Sequence, residues 1–428
     1  MKYIILILIF IISIEVYSKN FDKDIEKLSS QYIDNLINQT KNRLQKDKYG
    51  FSDTYILYDI QTHLQNLAIY ADEKNYTTIL KKILKLVTIP FNNKYLSDKG
   101  EWIDKKYYRG KESHIAISQY FALLTRVLSA SQRHNIDVSK YFTNKQYIKI
   151  INKHINKWMT YNIYYNLVSD AQLYTVMSAI QFQDYMNNIK YFNKYRCYWE
   201  KYIKNYINNS ILKQMSYINC LGHEDKKCSV LSKNGWLNKK FNDYSYSAYD
   251  KKYKKINSDN DPFAMFDSKG NIKQKPKKPI TGATDLSHAR RFNWFYESVN
   301  RIGKTVFDVK IPNKWIESWA NNLAYNVCRE DKNKNIYFTI FSNGTDGWYR
   351  VGYAGRKGFG YAPGDMDIHF VASSYGIMGV YNNRIYDCMD RWVRKHKSKM
   401  SVNYFLLDYL TSKQINMKRN IILKERNN

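Results

Sequence analysis

Apolar side chains recur at three- and four-residue steps along most of the first 220 residues, and this periodicity limits what the chain can fold into. It is clear in FDKDIEKLSSQYIDNLINQTKNRL (21–44), KESHIAISQYFALLTRVLSAS (111–131) and SDAQLYTVMSAIQFQDYM (169–186). Such spacing places the apolar residues on one face of an α-helix. Alternating strand patterns are scarce before residue 330, and the 428 residues include only six prolines, so long helices are expected.

The helical periodicity stops between residues 221 and 283, where Gly, Asn, Asp, Ser, Lys and Pro are concentrated. So long a stretch without regular structure is unusual inside a domain, and it is predicted to be an irregular insertion that serves as a functional loop or a linker. The IYFTIF segment at 336–341 is either a short strand or the end of a helix. Helices are predicted to resume at 285–301, before Gly303, at 313–328, after Pro312, and at 366–380, 384–397 and 402–415.

The helical segments follow one another in pairs joined by short turns. No repeat of fixed length is visible, which disfavours a solenoid and favours a ring of helical hairpins. The predicted fold class is therefore all-α, with long irregular loops. A single domain is expected over residues 19–415, followed by a basic C-terminal tail at 416–428.

The amino terminus, MKYIILILIFIISIEVYSKN, has an early Lys, an apolar run at 4–14 and a cleavable spacing at 16–18. Residues 1–18 are therefore predicted to be a signal peptide, and the protein to be secreted or periplasmic, with no stable membrane insertion after cleavage. The alternative is an uncleaved segment that anchors the protein in a membrane. The apolar run is short for a bilayer span.

The chain is strongly basic, with 68 Lys and Arg against 38 Asp and Glu and a formal charge of +30. Such a balance predicts attraction to polyanions. The abundance of Lys, Asn, Ile and Tyr also fits an AT-rich genome, which accounts for part of the charge. Because an exported protein rarely meets cellular nucleic acid, an anionic polysaccharide is the expected partner and no nucleic acid is expected.

Five cysteines are present, and an odd number leaves at least one thiol unpaired within the chain. Cys220 and Cys228 lie close together in CLGHEDKKC, and a disulfide there suits an oxidising compartment. Zinc binding with the help of His223 is a second possibility, although no fourth ligand is evident. Unpaired thiols are the third.

The stretch TGATDLSHARRFNWFYESV (281–299) concentrates polar groups at a predicted helix start. Asp285 is a good N-cap, and His288 three residues later lies on the same face. In the first turn the helix dipole disfavours the protonated imidazole, so His288 is a candidate general base. Arg290 or Arg291 could then hold a substrate carboxylate. The structural alternative is an ordinary cap with a packed imidazole and solvated arginines.

The stretch DGWYRVGYAGRKGFGYAPGDMDIHF (346–370) is the second candidate. Asp365 is a natural N-cap, and His369 lies four residues later on the same face. Aromatic and Arg side chains in a glycine-rich segment are typical of a sugar-binding subsite. The candidates are Trp348, Arg350, Tyr353 and Tyr361. The glycines lack the GK[ST] ending of a phosphate loop, and the alternative is a crossover that packs against the core.

His114, at the start of a third helix, is a further candidate base, although an isolated early-helix His is more often structural. His63 and His154 lie within helical segments and are interpreted as ordinary residues. No HExxH, paired CxxC or GxSxG motif occurs, so a zinc protease and serine or cysteine nucleophiles are unsupported. Neither a metal nor a cofactor is predicted.

The paired helices, together with ATDLSHARRFNWFYES, ESHIAISQYFALLTRVL and the late DGWYRVGY and GYAPGDMDIHFVASSYGIMGVYN segments, resemble the (α/α) toroid carbohydrate-active enzymes. These are the helical-barrel polysaccharide lyases and related glycoside hydrolases. The resemblance implies an incomplete or closed (α/α) toroid over residues 20–415. For a lyase it implies a group that neutralises the uronate carboxylate and a Tyr or His base, with His114, His288, Arg291 and Tyr361 as candidates. For a hydrolase it implies two carboxylates across a cleft, with Asp285 and Asp365 as the pair.

Three functions follow as hypotheses. The first is a secreted enzyme that cleaves an anionic, uronate-type polysaccharide by elimination, which the positive charge favours. The second is a glycoside hydrolase on the same scaffold. The third is a non-catalytic secreted helical protein that binds anionic surfaces.

Overall fold

The computed structural model describes residues 2–44, 46–47, 50–51, 53–104, 111–160, 170–231, 254–257, 264–266, 285–345, 361, 364–396, 398, 400 and 403–427. The described chain is mostly helical, as the periodicity predicts. The α-helices are α1 (Lys2–Arg43), α2 (Ile56–Thr62), α3 (Leu64–Glu73), α4 (Thr77–Thr88), α5 (His114–Arg133), α6 (Tyr147–Thr160), α7 (Asp170–Asn188), α8 (Arg196–Tyr206), α9 (Leu212–Gln214), α10 (Leu286–Ala289), α11 (Arg291–Ser298), α12 (Lys304–Phe307), α13 (Asn313–Asn322), α14 (Asp367–Val371), α15 (Asn383–Lys395) and α16 (Asn403–Asn427).

Strands in the described chain form two-stranded ladders only. Three ladders are antiparallel: β1 (Lys46–Asp47) with β2 (Gly50–Phe51), β3 (Met215–Cys220) with β4 (His223–Leu231), and β7 (Cys328–Glu330) with β8 (Ile336–Phe338). The ladder of β5 (Lys254–Asn257) and β6 (Ala264–Phe266) is parallel. The β3–β4 register pairs Met215 with Leu231 and Ile218 with Cys228.

Six helical segments run in the same direction. Their contacts show this, since a residue early in one helix bonds to a residue early in the next, and a later residue bonds to a later one. The pairs are Gln61–Gln119 and Asp72–Arg133 between α2–α3 and α5, His114–Thr175 and Ser129–Asp184 between α5 and α7, Asp170–Arg291 and Gln181–Ser298 between α7 and α11, and His63–Asp408 and Asn66–Ser412 between α3 and α16. The sixth segment is the 3-10 helix Ser374–Val380, hereafter the 374–380 helix. Its Gly376 and Gly379 lie so close to Ser412 and Asn416 of α16 that a Cβ atom on either glycine would clash.

Each parallel segment packs against the next, and the last returns to the first. The order is α3, α5, α7, α11, the 374–380 helix and α16, which contacts α3. Helices α1, α6, α8 and α13 run in the opposite direction. The contacts that show this are Asp22–Tyr70 and Arg43–Asp59 for α1, Tyr147–Tyr185 and Trp158–His114 for α6, Tyr206–Phe295 and Arg196–Val306 for α8, and Trp319–Asn293 and Ile311–Asn300 for α13 and the residues before it. Short turns also reverse the chain between α3 and α4 and between the 374–380 helix and α15.

The space between the parallel helices contains buried polar side chains. Arg126 of α5 is fully buried and donates to Gln65 of α3 at 2.9 Å, to Glu297 of α11 at 2.6 Å and to Ser298 at 2.8 Å. Burial would raise the pKa of Glu297, but the charges of Arg126 and Arg301 lower it to about 2. The carboxylate is therefore ionised over the physiological range, and one guanidinium joins three helices.

Several predicted boundaries differ from the structure. The helix from residue 291 continues through a π-helical turn, Val299–Gly303, into α12, so Gly303 does not end it. The predicted helix at 366–380 is broken at 372–373, where Ser373 is extended. The segment at 416–427 continues α16, and the predicted irregular insertion begins with the β3–β4 hairpin. Residues 336–338 form a strand, the first of the two alternatives.

Two disulfides fasten the described chain. Cys220–Cys228 closes the β3–β4 hairpin, as the sequence suggested, and Cys328–Cys388 joins β7 to α15 across 60 residues. The latter pairing was not predicted, because residues so far apart in sequence give no local signal. Cys197 is an exposed thiol.

The predicted signal peptide lies within α1, which continues without a break to Arg43. In the described part of the chain, no helix combines the length and the apolar character that crossing a membrane requires.

Arg126→Met should lower the free energy of unfolding by about 3–5 kcal/mol, because it removes one partner of a buried ion pair. The Arg126→Met/Glu297→Met double variant should lose less, because the buried carboxylate that has lost one of its cations is then also removed, while Arg301 keeps its pair with Asp72. Urea unfolding of the two variants and the wild type measures the difference. Equal losses in the single and double variants would contradict the argument.

Candidate functional site at the amino ends of the parallel helices

The polar side chains predicted at helix starts gather at one end of the molecule, because the parallel helices begin there. Contacts connect α5 to α7 (His114–Thr175), α7 to α10–α11 (Asp170 with His288 and Arg291), α11 to α2 (Arg291–Tyr58) and the start of α3 to α16 (His63–Asp408). Each helix start also carries backbone N–H groups without partners in its own helix, and the aligned dipoles add positive potential. This end of the molecule is therefore suited to negative charge.

Asp285 and His288 form a hydrogen-bonded pair within the first turn of α10. Asp285 is the N-cap: its Oδ1 accepts from the Ser287 N–H at 2.9 Å and from the Ser287 hydroxyl at 2.5 Å. Its Oδ2 accepts from Nδ1 of His288 at 2.6 Å. With Nδ1 donating, the lone pair of a neutral imidazole is on Nε2, which is the atom that can take a proton.

The loop that carries the Asp285 carboxylate is itself held by backbone contacts. Asp285 pairs with Phe341 in an isolated bridge, and the Leu286 N–H donates to the Ile340 carbonyl at 2.9 Å. The Tyr375 hydroxyl donates to the Leu286 carbonyl at 2.7 Å. The imidazole is thus fixed by segments that are distant in sequence.

Arg291 is committed to an ion pair with Asp170, the first residue of α7. The two side chains are 2.8 Å apart and both nearly buried, and Arg291 also donates to the Tyr58 hydroxyl at 3.3 Å. The same Asp170 oxygen lies 3.9 Å from Nε2 of His288. The other oxygen, Oδ1, is buried and has no hydrogen-bond partner among the described residues. Arg291 therefore positions Asp170, and its charge is largely neutralised.

Arg290 differs from its neighbour, since its charge is not paired within the described chain. The residue is 5% exposed, and its guanidinium lies 5.9 Å from the ring of Trp294. Its Nε and Nη1 are buried without hydrogen-bond partners among the described residues. Because an unsatisfied buried donor is costly, such a group is suited to receive a ligand oxygen.

A second imidazole–carboxyl pair lies beside Arg290. His63 and Asp408 are 2.5 Å apart, and the charge of Arg290 acts on both. Burial lowers the pKa of His63 well below its usual range, with Arg290 and His369 adding to the effect. Burial also raises the pKa of Asp408 well above its usual range, with the charge of Arg290 acting in the opposite direction. Both shifts favour the uncharged forms of His63 and Asp408, and neither residue forms an ion pair with Arg290 among the described contacts.

His114 lies on the neighbouring side of α7. Its ring stacks on Trp158 with centroids 4.1 Å apart, and its Nε2 is 3.3 Å from the Thr175 hydroxyl. Burial, together with the charge of Lys157, lowers its pKa to about 3. His114 is thus a neutral hydrogen-bonding group at ordinary pH and a weak base.

The second predicted cluster is described only in part. Tyr361 packs against Ile340, Phe341 and Met366, and so lies behind the loop that holds Asp285. Asp365 is half-buried but does not cap α14, whose N-cap is Met366. The predicted binding residues Trp348, Arg350 and Tyr353 lie outside the described residues.

Asp367 has a structural role in this cluster. Its carboxylate accepts from the Phe338 N–H at 3.0 Å and from the Trp392 indole at 3.0 Å. These bonds hold the start of α14 against β8 and α15. His369, two residues later, acts electrostatically on His63.

The sequence reasoning missed Asp170, Tyr58, His63 and Asp408. From the sequence alone, Asp170 is most simply the cap of the helix that follows it, and His63 is an ordinary helical residue. Only pairings across more than 100 residues, with Arg291 and Asp408, give them their place in the site.

Glu112 anchors the segment just before α5. It accepts from the Trp102 N–H at 2.9 Å, from His154 at 2.9 Å and from Lys157 at 3.0 Å. Burial would raise the pKa of Glu112, but the hydrogen bond and charge of His154, with the bonds from Trp102 and Lys157, lower it. His154, interpreted from the sequence as ordinary, is therefore part of a buried clamp.

No family model, curated protein or solved structure matches this chain. Function is therefore argued from the chemistry of the site.

Stability should fall as the pH drops through the range in which Glu112 takes up a proton. A carboxyl whose folded pKa is lowered contributes stability above its unfolded pKa, and that contribution is lost as the pH falls towards the folded value. Glu112→Gln should therefore flatten the fall in melting temperature below about pH 4.5, the ordinary glutamate pKa. Melting temperatures measured between pH 7 and pH 3 test this, and a Glu317→Gln variant, in which the replaced side chain is exposed, is the control. If the melting temperatures of wild type and Glu112→Gln fell in parallel as the pH drops, the stabilising role of the Glu112 contacts would be refuted.

Proposed function

We propose that this protein is a secreted carbohydrate-active enzyme that cleaves an anionic, uronate-type polysaccharide by elimination. The observation that carries the proposal is the Asp285–His288 pair at the same end of the helices as Arg290, whose Nε and Nη1 lack partners in the described chain. One group can take a proton, and the other can receive a carboxylate. The +30 charge of the chain supports an anionic substrate.

We also propose that the helices form an (α/α) toroid. Two observations support it: the parallel segments contact one another in a closed order, and a helix of opposite direction lies between each parallel segment and the next along the chain. In this arrangement the six parallel segments are the inner ring, and α1, α4, α6, α8, α13 and α15 are the outer one. The candidate site then lies at the mouth of the ring.

The proposed reaction begins with the substrate carboxylate at Arg290. Hydrogen bonds from the guanidinium withdraw charge from the carboxylate and make the neighbouring C5 proton more acidic. Nε2 of His288 removes that proton, and Asp285 stabilises the resulting imidazolium through Nδ1. A C4–C5 double bond forms as the C4–O4 bond breaks. The leaving O4 takes a proton, for which the His288 imidazolium is a nearby donor.

The hydrolase alternative is weaker because of the surroundings of Asp285. Both of its oxygens already accept hydrogen bonds from within the α10 turn. A general acid or nucleophile must reach the glycosidic bond. The contacts of Asp285 favour an orienting role instead, so the pairing with Asp365 is not adopted. In a protein that only binds anionic surfaces, the Asp285–His288 pair would serve solely to cap and stabilise the start of α10.

Incubation with uronate-containing polymers should produce unsaturated sugar ends, which absorb in the ultraviolet. Elimination predicts that this absorbance rises in step with new reducing ends. Neutral glucans serve as the control polymer. Reducing ends without absorbance would instead support hydrolysis, and neither signal over a panel of uronate polymers would favour the binding protein.

His288→Ala should lower kcat by roughly 10²–10⁴-fold, because the base is lost. Asp285→Asn should lower kcat in the same range while keeping the helix start, since Asn is an equally good N-cap. Melting temperatures within a few degrees of wild type would show that both variants fold. Full activity in either folded variant would exclude this pair as the catalytic one.

Arg290→Met should abolish the response to uronate, because a thioether of similar length cannot neutralise a carboxylate. The exposed Arg394→Met on α15 removes the same charge away from the site. Initial rates on a uronate polymer are compared between the two variants, and circular dichroism shows whether each is folded. Unchanged kinetics in a folded Arg290→Met protein would remove Arg290 from the proposed site.

A further inference from the structure

A cavity of about 650 Å³ lies between the carboxyl ends of α1 and α4 and the segment before α6. It is hereafter the α1–α4 cavity, and its described lining consists of Lys41, Asn42, Thr88, Ile89, Asn92, Lys94, Tyr95, Tyr141 and Thr143. This volume is within the roughly 300–1,000 Å³ of small-molecule sites. None of the catalytic candidates above lines it.

The lining chemistry matches an acidic sugar. Two lysines, Lys41 and Lys94, belong to the lining, and none of the described lining residues is acidic. Amides and hydroxyls supply partners for sugar hydroxyls, and two tyrosine rings supply apolar surface. The Lys94 ammonium is 4.8 Å from the centre of the Tyr95 ring. Tyr95 is 3% exposed and forms part of the cavity wall.

The cavity is connected to the candidate site through α2. Arg43 follows Lys41 and Asn42, and it pairs with Asp53 and Asp59 at 2.7 Å each. Those pairs neutralise Asp53 and Asp59, the acidic partners of Arg43. Tyr58, next to Asp59, accepts the hydrogen bond from Arg291 in the site. Neighbouring residues of α2 therefore contact Arg43, beside the cavity lining, and Arg291 of the candidate site.

We propose that the α1–α4 cavity is a distal subsite, which binds an acidic unit of the same polysaccharide chain that is cleaved beside His288. The inference rests on the proposed function for the identity of the polymer. Its consequence is a preference for long substrates: binding energy at the cavity lowers KM for polymer, while the chemical step beside His288 is unchanged. The shortest oligosaccharide that is turned over gains nothing from it.

The test reverses the charge of the two cavity lysines in Lys41→Glu/Lys94→Glu. The matched control is Lys81→Glu/Lys85→Glu, which makes the same charge change at exposed positions of α4 outside the lining. The cavity variant should raise KM for a uronate polymer about tenfold, the effect expected when two attractive charge contacts become repulsive. Its kcat, and its KM for the shortest substrate, should equal those of the control.

Direct titration of a size-defined oligouronate into each protein gives a readout that does not need turnover. Weaker binding in the cavity variant than in the control supports the subsite even if no polymer is cleaved, in which case only the proposed elimination fails. Equal KM and equal affinity in the two variants would overturn the subsite and leave the proposed function standing.

Discussion

The ion pair between Arg126 and Glu297 is the interaction on which the rest of the structure depends most directly. A single fully buried guanidinium bonds to α3 and to two residues of α11 from its place on α5. A buried charge is tolerated only when its partners are in place, so the pair fixes how these three helices are staggered. Since α11 begins at Arg291, that stagger also fixes the position of the adjoining turn with His288.

In the candidate site, the parallel packing of the helices brings the candidate functional groups to one end of the molecule. Parallel helices bring their amino ends together, and the dipoles, unsatisfied N–H groups and capping side chains come with them. Within that end the charges are divided unequally. Arg291 is neutralised by Asp170, whereas the neutral His63–Asp408 pair leaves Arg290 as the cation able to receive an anion. Neighbouring residues of the same type thus have different tasks.

Local sequence signals predicted local structure well. The helices around α5, α7, α13 and α15, the Asp285 cap and the Cys220–Cys228 disulfide are all present. The failures occurred where distant packing outweighed local preference. Gly303 does not end its helix, and the predicted helix at 366–380 is broken where Ser374 bonds to Arg290 and Asn293.

By itself, the sequence determined a helical chain, a basic surface charge and the cap that holds His288 in the first turn of α10, because periodicity, composition and capping depend on residues close in the chain. The tertiary structure decided which arginine is paired, that His63 meets Asp408 across 345 residues, and that a basic cavity opens beside α2. Burial and long-range contact set these properties, and neither can be read from spacing along the chain. The pairing of Asp285 with His288 depends on both sequence and tertiary structure. The three-residue spacing places the two side chains on one face of the helix, and contacts with Phe341, Ile340 and Tyr375 hold that turn in place.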